Sequence, residues 1–386
     1  MLDLQTESIH FKARILDLYE VYAKKQPTNP LVIELVIPLL TITKNSGNAA
    51  AALSNKASSL IRKVFGKPKD LPVITDATAA QEVLTSIHDM ARKTYSGEFT
   101  LLCSIGSIFV ARAMDSSSTG SKQVVEVYQK TMEEYMTHKA TMLHATFLSD
   151  YFKRHPLRAW PLHSALVPFL YPGKPVNIYR QNIAYELLSH LAPRLPEIHQ
   201  TQPKQVDSMI PKVIDAFYAT LAEAQNDDAW KSDKVKDFLK PVLAFARATK
   251  SVGYEWDMEK LDQAREGVKS GRLANLGSVT SLLNQLRAVA SKDPKAKTNE
   301  NNGKANGKGS KKRAANCDGD GGEAEQGDKK ESVPQKKRKA TKETKETKEV
   351  KVSKVSKEVK DGAKSDKPKS KKTKSEQSTK SNPPKV

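Results

Sequence analysis

Residues 10–40, HFKARILDLYEVYAKKQPTNPLVIELVIPLL, decide how the rest of the chain is read. Phe11, Ile15, Leu18 and Tyr22 recur at steps of three and four, the spacing that lines apolar side chains along one stripe of an α-helix. That stripe is expected to face a core. Gln26-Pro27-Thr28-Asn29-Pro30 then ends the helix, since proline lacks a backbone donor and restricts the residue before it. Asn29 suits an N-cap and Pro30 the first position of a new helix. The following segment, Leu31–Ile42, is apolar around its whole circumference (Leu31, Ile33, Leu35, Val36, Ile37, Leu39, Leu40), so burial on all sides is expected. Two helices joined by a short turn make one unit of a helical repeat.

Working outward, the same period continues almost throughout the body. It carries Leu84, Ile87 and Ala91; Leu102, Ile105, Phe109 and Ala113; and Val124, Tyr128 and Tyr135. Farther on come Ile210, Val213, Phe217 and Leu221; Val235, Leu239, Val242 and Ala246; and Val279, Leu282, Leu286 and Val289. Strand alternation is nearly absent. Asp76 reads as a cap, and Pro172-Gly173-Lys174-Pro175 as a firm break. Further breaks are expected at Gln26-Pro27, Gly66-Lys67-Pro68, Gly97, Gly120, Pro156, Pro203 and Gly253. The pattern predicts an all-α body over residues 1–291. Either a globular bundle or an α-solenoid fits such a chain, and hairpins recurring every ~40 residues favour the solenoid, of the armadillo or HEAT kind.

Charge divides the chain. Of 64 Lys and Arg and 44 Asp and Glu, residues 292–386 hold 29 and 15, an excess of 14 in a total of +20, with no Phe, Trp or Tyr. Such a segment cannot bury enough apolar surface to offset its ordering entropy, so 292–386 is expected to be a disordered, Lys-rich tail. The net charge points to polyanionic partners. No run of some 18 apolar residues calls for a membrane span, and the N-terminus lacks a secretory pattern. With two cysteines, Cys103 and Cys317, no disulfide framework or zinc cluster is expected, and a reducing compartment fits.

The 10–40 block resembles the C-terminal part of the nucleolar Myb-binding-protein/DNA polymerase phi family, whose fungal members are called DNA polymerase V. The motif-level likeness covers about 35 residues; the rest of the body is alike in kind, a helical array followed by a lysine-rich tail. Members of that family are much longer, so this chain looks like a C-terminal portion or a truncated product. The resemblance implies an armadillo-like fold, a nucleolar location, association with ribosomal DNA, and roles in rRNA production and transcriptional co-regulation.

A polymerase activity, which the family name invites, finds no support in the residues. Two-metal nucleotidyl transfer needs carboxylates fixed on a rigid frame. The Asp-x-Asp, Asp318-Gly319-Asp320, lies in Gly-rich low-complexity sequence, and Asp227-Asp228 on an apparent connection. No P-loop, Gly-x-Ser-x-Gly or His-Glu-x-x-His occurs. His138 and His144, and His155 and His163, miss the i,i+4 spacing of helical metal ligands. Cys103 lies on an apolar face without a basic neighbour and reads as inert. The expectation is a non-enzyme without catalytic, cofactor or metal residues.

The basic motifs carry the functional reading. Lys336-Lys337-Arg338-Lys339, shortly after Pro334, has the charge and extended backbone that an import receptor reads, with Lys311-Lys312-Arg313 as a weaker second cluster. Lys342, Lys345, Lys348, Lys351, Lys354, Lys357 and Lys360 recur every third residue, which on a helix would wind round the cylinder rather than line one face. Without aromatics to stack on bases, their contacts are expected to be with phosphates and independent of sequence. In the body, two windows lack acids. Residues 35–69 carry Lys44, Lys56, Arg62, Lys63, Lys67 and Lys69. Residues 151–185 carry Lys153, Arg154, Arg158, Lys174 and Arg180 among Tyr151, Phe152, Trp160, Tyr171 and Tyr179, a pattern that fits either a nucleic-acid surface or core aromatics with cations on the solvated side. The leading expectation is a nuclear, nucleolar, non-catalytic repeat protein. It binds rDNA or pre-rRNA and transcription or ribosome-assembly proteins, enters the nucleus on an import receptor, and has no membrane partner. The rivals are a protein-binding co-regulator whose tail serves only import, and a DNA polymerase.

Overall fold

The computed structural model describes residues 2–45 and 51–291, and among them every regular element is helical. α1 (Leu2–Lys25) runs into the Gln26–Pro30 turn, where the Asn29 side chain accepts the Leu31 N–H at 3.0 Å. Pro30–Leu35 is a 3₁₀ turn that relaxes into α2 (Val36–Asn45). α3 (Ala51–Leu60) passes directly into a single π-turn at Ile61–Phe65. Then follow α4 (Ala77–Arg92), α5 (Gly97–Met114), α6 (Ser118–Thr137), α7 (Thr146–Arg154), the one-turn α8 (Pro156–Ala159) and α9 (His163–Leu166), and α10 (Ile178–Leu191). The array closes with α11 (Leu195–Thr201), α12 (Pro203–Asn226), α13 (Ser232–Ser251), α14 (Met258–Ser270) and α15 (Gly277–Ala290).

Starts are set by caps that the sequence supplies. Asp76 accepts the Thr78 and Ala79 N–H groups at 2.8 and 3.1 Å; Ser96, Ser117, Asn177 and Asp257 do the same for α5, α6, α10 and α14. The helices form two layers. α2 packs on α5, α5 on α7, α7 on α10, α10 on α13 and α13 on α15. Beside this row, α4 packs on α6, α6 on α9 and α12 on α14. Each helix thus meets mainly its sequence neighbours and the next repeat, which is how a solenoid buries its faces.

α5 is the centre of the first half. It is nearly all buried, and although it is long and apolar enough to cross a membrane, its apolar surface is covered by α2, α4, α6 and α7. Gly106 allows the close approach of α2, because a Cβ there would lie 2.8 Å from Val36 Cγ1. Two polar pins cross the core. His88 Nδ1 meets Thr131 Oγ1 at 2.8 Å and His88 Nε2 meets Ser107 Oγ at 2.9 Å, tying α4, α5 and α6 together; Ser107 also meets the Tyr128 hydroxyl at 2.7 Å. Burial, reinforced by Arg92, drives the His88 pKa down to about 3, so the ring is neutral. Farther along, Gln181 Nε2 donates to Leu170 O at 2.8 Å and to Thr220 Oγ1 at 2.9 Å.

Two local expectations are corrected. On α1, Leu16 and Ala23 are the buried side chains, whereas Phe11 and Leu18 are 66% and 67% exposed, so the Phe11–Ile15–Leu18–Tyr22 stripe turns largely outward. The helix after Asn29 is also not buried on all sides: Val32, Ile33, Val36, Leu39 and Leu40 are, but Leu31 is 53% exposed and Leu35 and Ile37 are half-buried. Of the expected breaks, Gly120 and Pro203 fall just inside the first turns of α6 and α12, where glycine at a tight approach and proline at N1 are both accommodated.

Candidate nucleic-acid interface

The quoted 10–40 block and the π-turn together build a cationic cleft. α1 ends in Lys24-Lys25 beside the Pro27 turn, and the π-turn after α3 brings Lys63 and Val64 toward it. The chain then reverses at Gly66, where a Cβ would stand 2.4 Å from the Arg62 carbonyl oxygen, and Lys67-Pro68-Lys69-Asp70 closes the rim. The cleft has a volume of about 250 Å³ and a floor of Ala23, Val32 and Phe109. Lys24 pairs with Glu20 at 2.7 Å, and that contact holds the Glu20 carboxyl below its ordinary pKa. Lys63, Lys67 and Lys69 make no ion pair among the described residues, and Asp70 is the one acid on the rim.

Three unpaired ammonium groups above an apolar floor attract anions. Ammonium is a point charge without the planar fork that reads base edges, so phosphate is the group this cleft suits. Phe109 is 2% exposed and packs on Phe65 with ring centroids 4.6 Å apart, so it offers no face for base stacking. The remaining cations of the 35–69 window lie elsewhere. Lys56 pairs with Asp17 at 2.7 Å and donates to Ala13 O at 2.8 Å, and Arg62 pairs with Glu98 at 3.1 Å. The acid-free run was visible in the sequence; its convergence with Lys24, 39 residues upstream of Lys63, was not.

In the second window three of the five aromatics expected among the cations are core. Tyr151, Phe152 and Trp160 are at most 2% exposed, while Lys153, Arg154 and Arg158 stand on the solvent side at the α7–α8 corner. Arg158 pairs with Asp115 at 2.9 Å, and Arg154 lies 3.9 Å from Asp150. Burial first, then Arg158, Arg112 and Arg154, lower the His155 pKa to about 4, which records how closely these cations gather. Tyr179 is exposed, with Lys234 Nζ 5.2 Å from its ring centroid, while Tyr171 donates its hydroxyl hydrogen to Lys212 O at 3.0 Å. Arg180 turns inward, donating to the His138 carbonyl and lying over the Tyr135 ring at 4.9 Å. Of the aromatics expected among these cations, Tyr179 alone is exposed, and it lies apart in sequence from the Lys153, Arg154 and Arg158 corner.

Cys103 is fully buried and its thiol is pushed up to about 12, mainly by burial. Asp227 and Asp228 occupy the α12–α13 connection; Asp227 accepts the Ala229 N–H at 2.8 Å, and Asp228 lies 3.6 Å from Arg272. Lys311, Lys312, Arg313, Asp318, Asp320, Lys336–Lys339 and the lysines from Lys342 to Lys360 lie outside the described residues.

A stack of helix pairs with no strand among the described residues defines a helical-repeat protein, a class whose stacked surfaces serve as extended binding faces. The model of the Myb-binding protein 1A-like family, TPR repeats, matches residues 26–302, and the chain belongs to that family. No curated protein and no solved structure matches it.

Proposed function

We propose that this chain is a non-catalytic, nucleolar scaffold. Its helical body binds protein partners, and phosphate contacts hold it on ribosomal DNA or pre-ribosomal RNA. The observation that carries the nucleic-acid half is the cleft of Lys63, Lys67 and Lys69, which make no ion pair among the described residues, set in a chain of net charge +20. Membership of a family of TPR repeats named for binding Myb supports the protein-binding half. Lys153, Arg154 and Arg158 add a second cationic corner, and the Lys311–Lys360 motifs add charge and an import signal. Such binding is salt-dependent and indifferent to base sequence.

The test is a titration of intact protein, a Lys63→Gln/Lys67→Gln/Lys69→Gln variant, and a protein lacking residues 292–386, with duplex DNA and structured RNA at several salt concentrations. The triple variant is expected to reduce the slope of log K against log salt by about 2–3, one counterion per lysine lost. An unchanged slope removes the cleft from the reading. Nucleotide incorporation by the purified protein would replace the scaffold with a polymerase; none is expected. Nucleolar accumulation that survives loss of Lys336–Lys339 would overturn the import role of that run.

A further inference from the structure

The turn that borders the cationic cleft also borders a cavity of opposite character. A groove of about 440 Å³ runs between Pro30–Ile37 and the first half of α4, with Ile74 at its edge. The Val73 N–H donates to Thr28 O at 2.9 Å, which fixes the 71–75 segment against the turn. Leu31, Ile37, Ile74 and Val83 form an apolar wall that is exposed or half-buried. Glu34, Asp76 and Glu82 stand on the rim, and no Lys, Arg or His lines the groove. Asp76 is occupied in capping α4, whereas Glu34 and Glu82 are exposed and make no ion pair among the described residues.

We propose that this groove is the docking site for a short, basic amphipathic segment of a protein partner. This rests on the reading of the body as a protein-binding array. Aliphatic side chains of the segment seat on Leu31, Ile37, Ile74 and Val83, and its Lys or Arg residues face Glu34 and Glu82. The volume falls within the ~300–1,000 Å³ of ligand-sized sites, enough for a few side chains. Water on the wall is displaced to apolar contact, and the two free carboxylates gain partners that the body does not give them. The same carboxylates repel a phosphate backbone, so nucleic acid is not the occupant. Cleft and groove therefore sort ligands by sign, the one taking anions and the other cationic peptide.

The experiment uses the full-length protein and a fluorescein-labelled amphipathic peptide of about 14 residues, with leucine at i, i+3, i+4 and i+7 and lysine elsewhere. Its twin carries glutamine in place of lysine. The net charge of +20 disfavours general electrostatic capture of the lysine peptide, and the groove variants decide whether saturable anisotropy comes from the groove. Binding is expected to weaken about tenfold in Glu34→Lys/Glu82→Lys and also in Leu31→Ser, and to be weaker for the glutamine twin. All these positions are solvent-exposed, and unchanged thermal melts check that the variants fold. Equal binding by wild type and both variants, or equal binding of the two peptides, overturns the proposal. Loss of a dimer in the variants on sedimentation also overturns it, since the occupant would be a second copy. Proximity labelling separates the levels: the same proteins labelled by wild type and variant leave the protein-binding reading standing while the groove falls. No labelled proteins from either removes the reading itself.

Discussion

At the residue scale, the tightest constraint is Gly106. A methyl group there must displace Val36, whose Cγ1 would lie 2.8 Å away, and both residues sit inside the packed α2–α5 contact. Gly106→Val is expected to lower unfolding free energy by about 2–3 kcal/mol through overpacking, read as a shift in urea midpoint. Val36→Ala in the same chain is expected to return part of that loss, a coupling of about 1 kcal/mol between neighbours; strict additivity would refute the contact. His88 gives a second test. Its folded pKa of about 3 lies below its ordinary 6.5, so as pH falls through this window the unfolded chain takes up a proton that the folded chain refuses. Stability is full above 6.5 and declines at up to ~1.4 kcal/mol per pH unit below it. His155, lowered to about 4, adds in the same direction. His88→Gln is expected to flatten the dependence of the urea midpoint on pH between 5 and 7; an unaltered slope would show that the ring titrates in the fold as it does in the unfolded chain.

At the element scale, the caps and breaks were legible and the orientation of α1 was not. Asn29, Asp76 and the Pro172–Pro175 break act as their side chains and backbone limits require, because caps are local. Asn177→Ala removes the acceptor for the Arg180 N–H, 3.0 Å away, and is expected to cost about 1 kcal/mol. Denaturant unfolding measures it, and no loss would mean that water replaces the cap. α1 carries two apolar stripes. Phe11, Ile15, Leu18 and Tyr22 make the bulkier one, yet the fully buried side chains are Leu16 and Ala23, with Ala13, Tyr19 and, from the bulkier stripe, Tyr22 packed beside them. Periodicity ranks stripes by hydrophobicity, whereas the helices packed against α1, α3 among them, decide which face is covered. The same limit applies after Asn29: composition predicted burial all round, but a neighbour covers only part of the surface, and Leu31 is left at the rim of a groove.

At the scale of the whole molecule, stability is distributed along the stack. α5 is enclosed by four helices, while α14 and α15 close one end. In an array whose units hold mainly their neighbours, ends open before the middle. Hydrogen exchange followed by mass spectrometry is expected to protect α5 amides most strongly and release those of α14 and α15 at lower opening free energy; uniform protection would indicate a single cooperative globule.

The placement of charge is also decided at this scale. The sequence alone settled helical class, most boundaries, the inert Cys103 and the surplus of positive charge, because propensity, capping and composition act over a few residues or are simple sums. Tertiary structure alone decided which stripe of α1 is buried, and that Tyr151, Phe152 and Trp160 are core rather than stacking platforms. It also decided that Lys24 meets Lys63, Lys67 and Lys69 while Glu34 meets Glu82 across a groove. These are encounters between residues some 40 or more apart in the chain. No periodicity encodes such a meeting; it exists only once packing has fixed which helix lies against which.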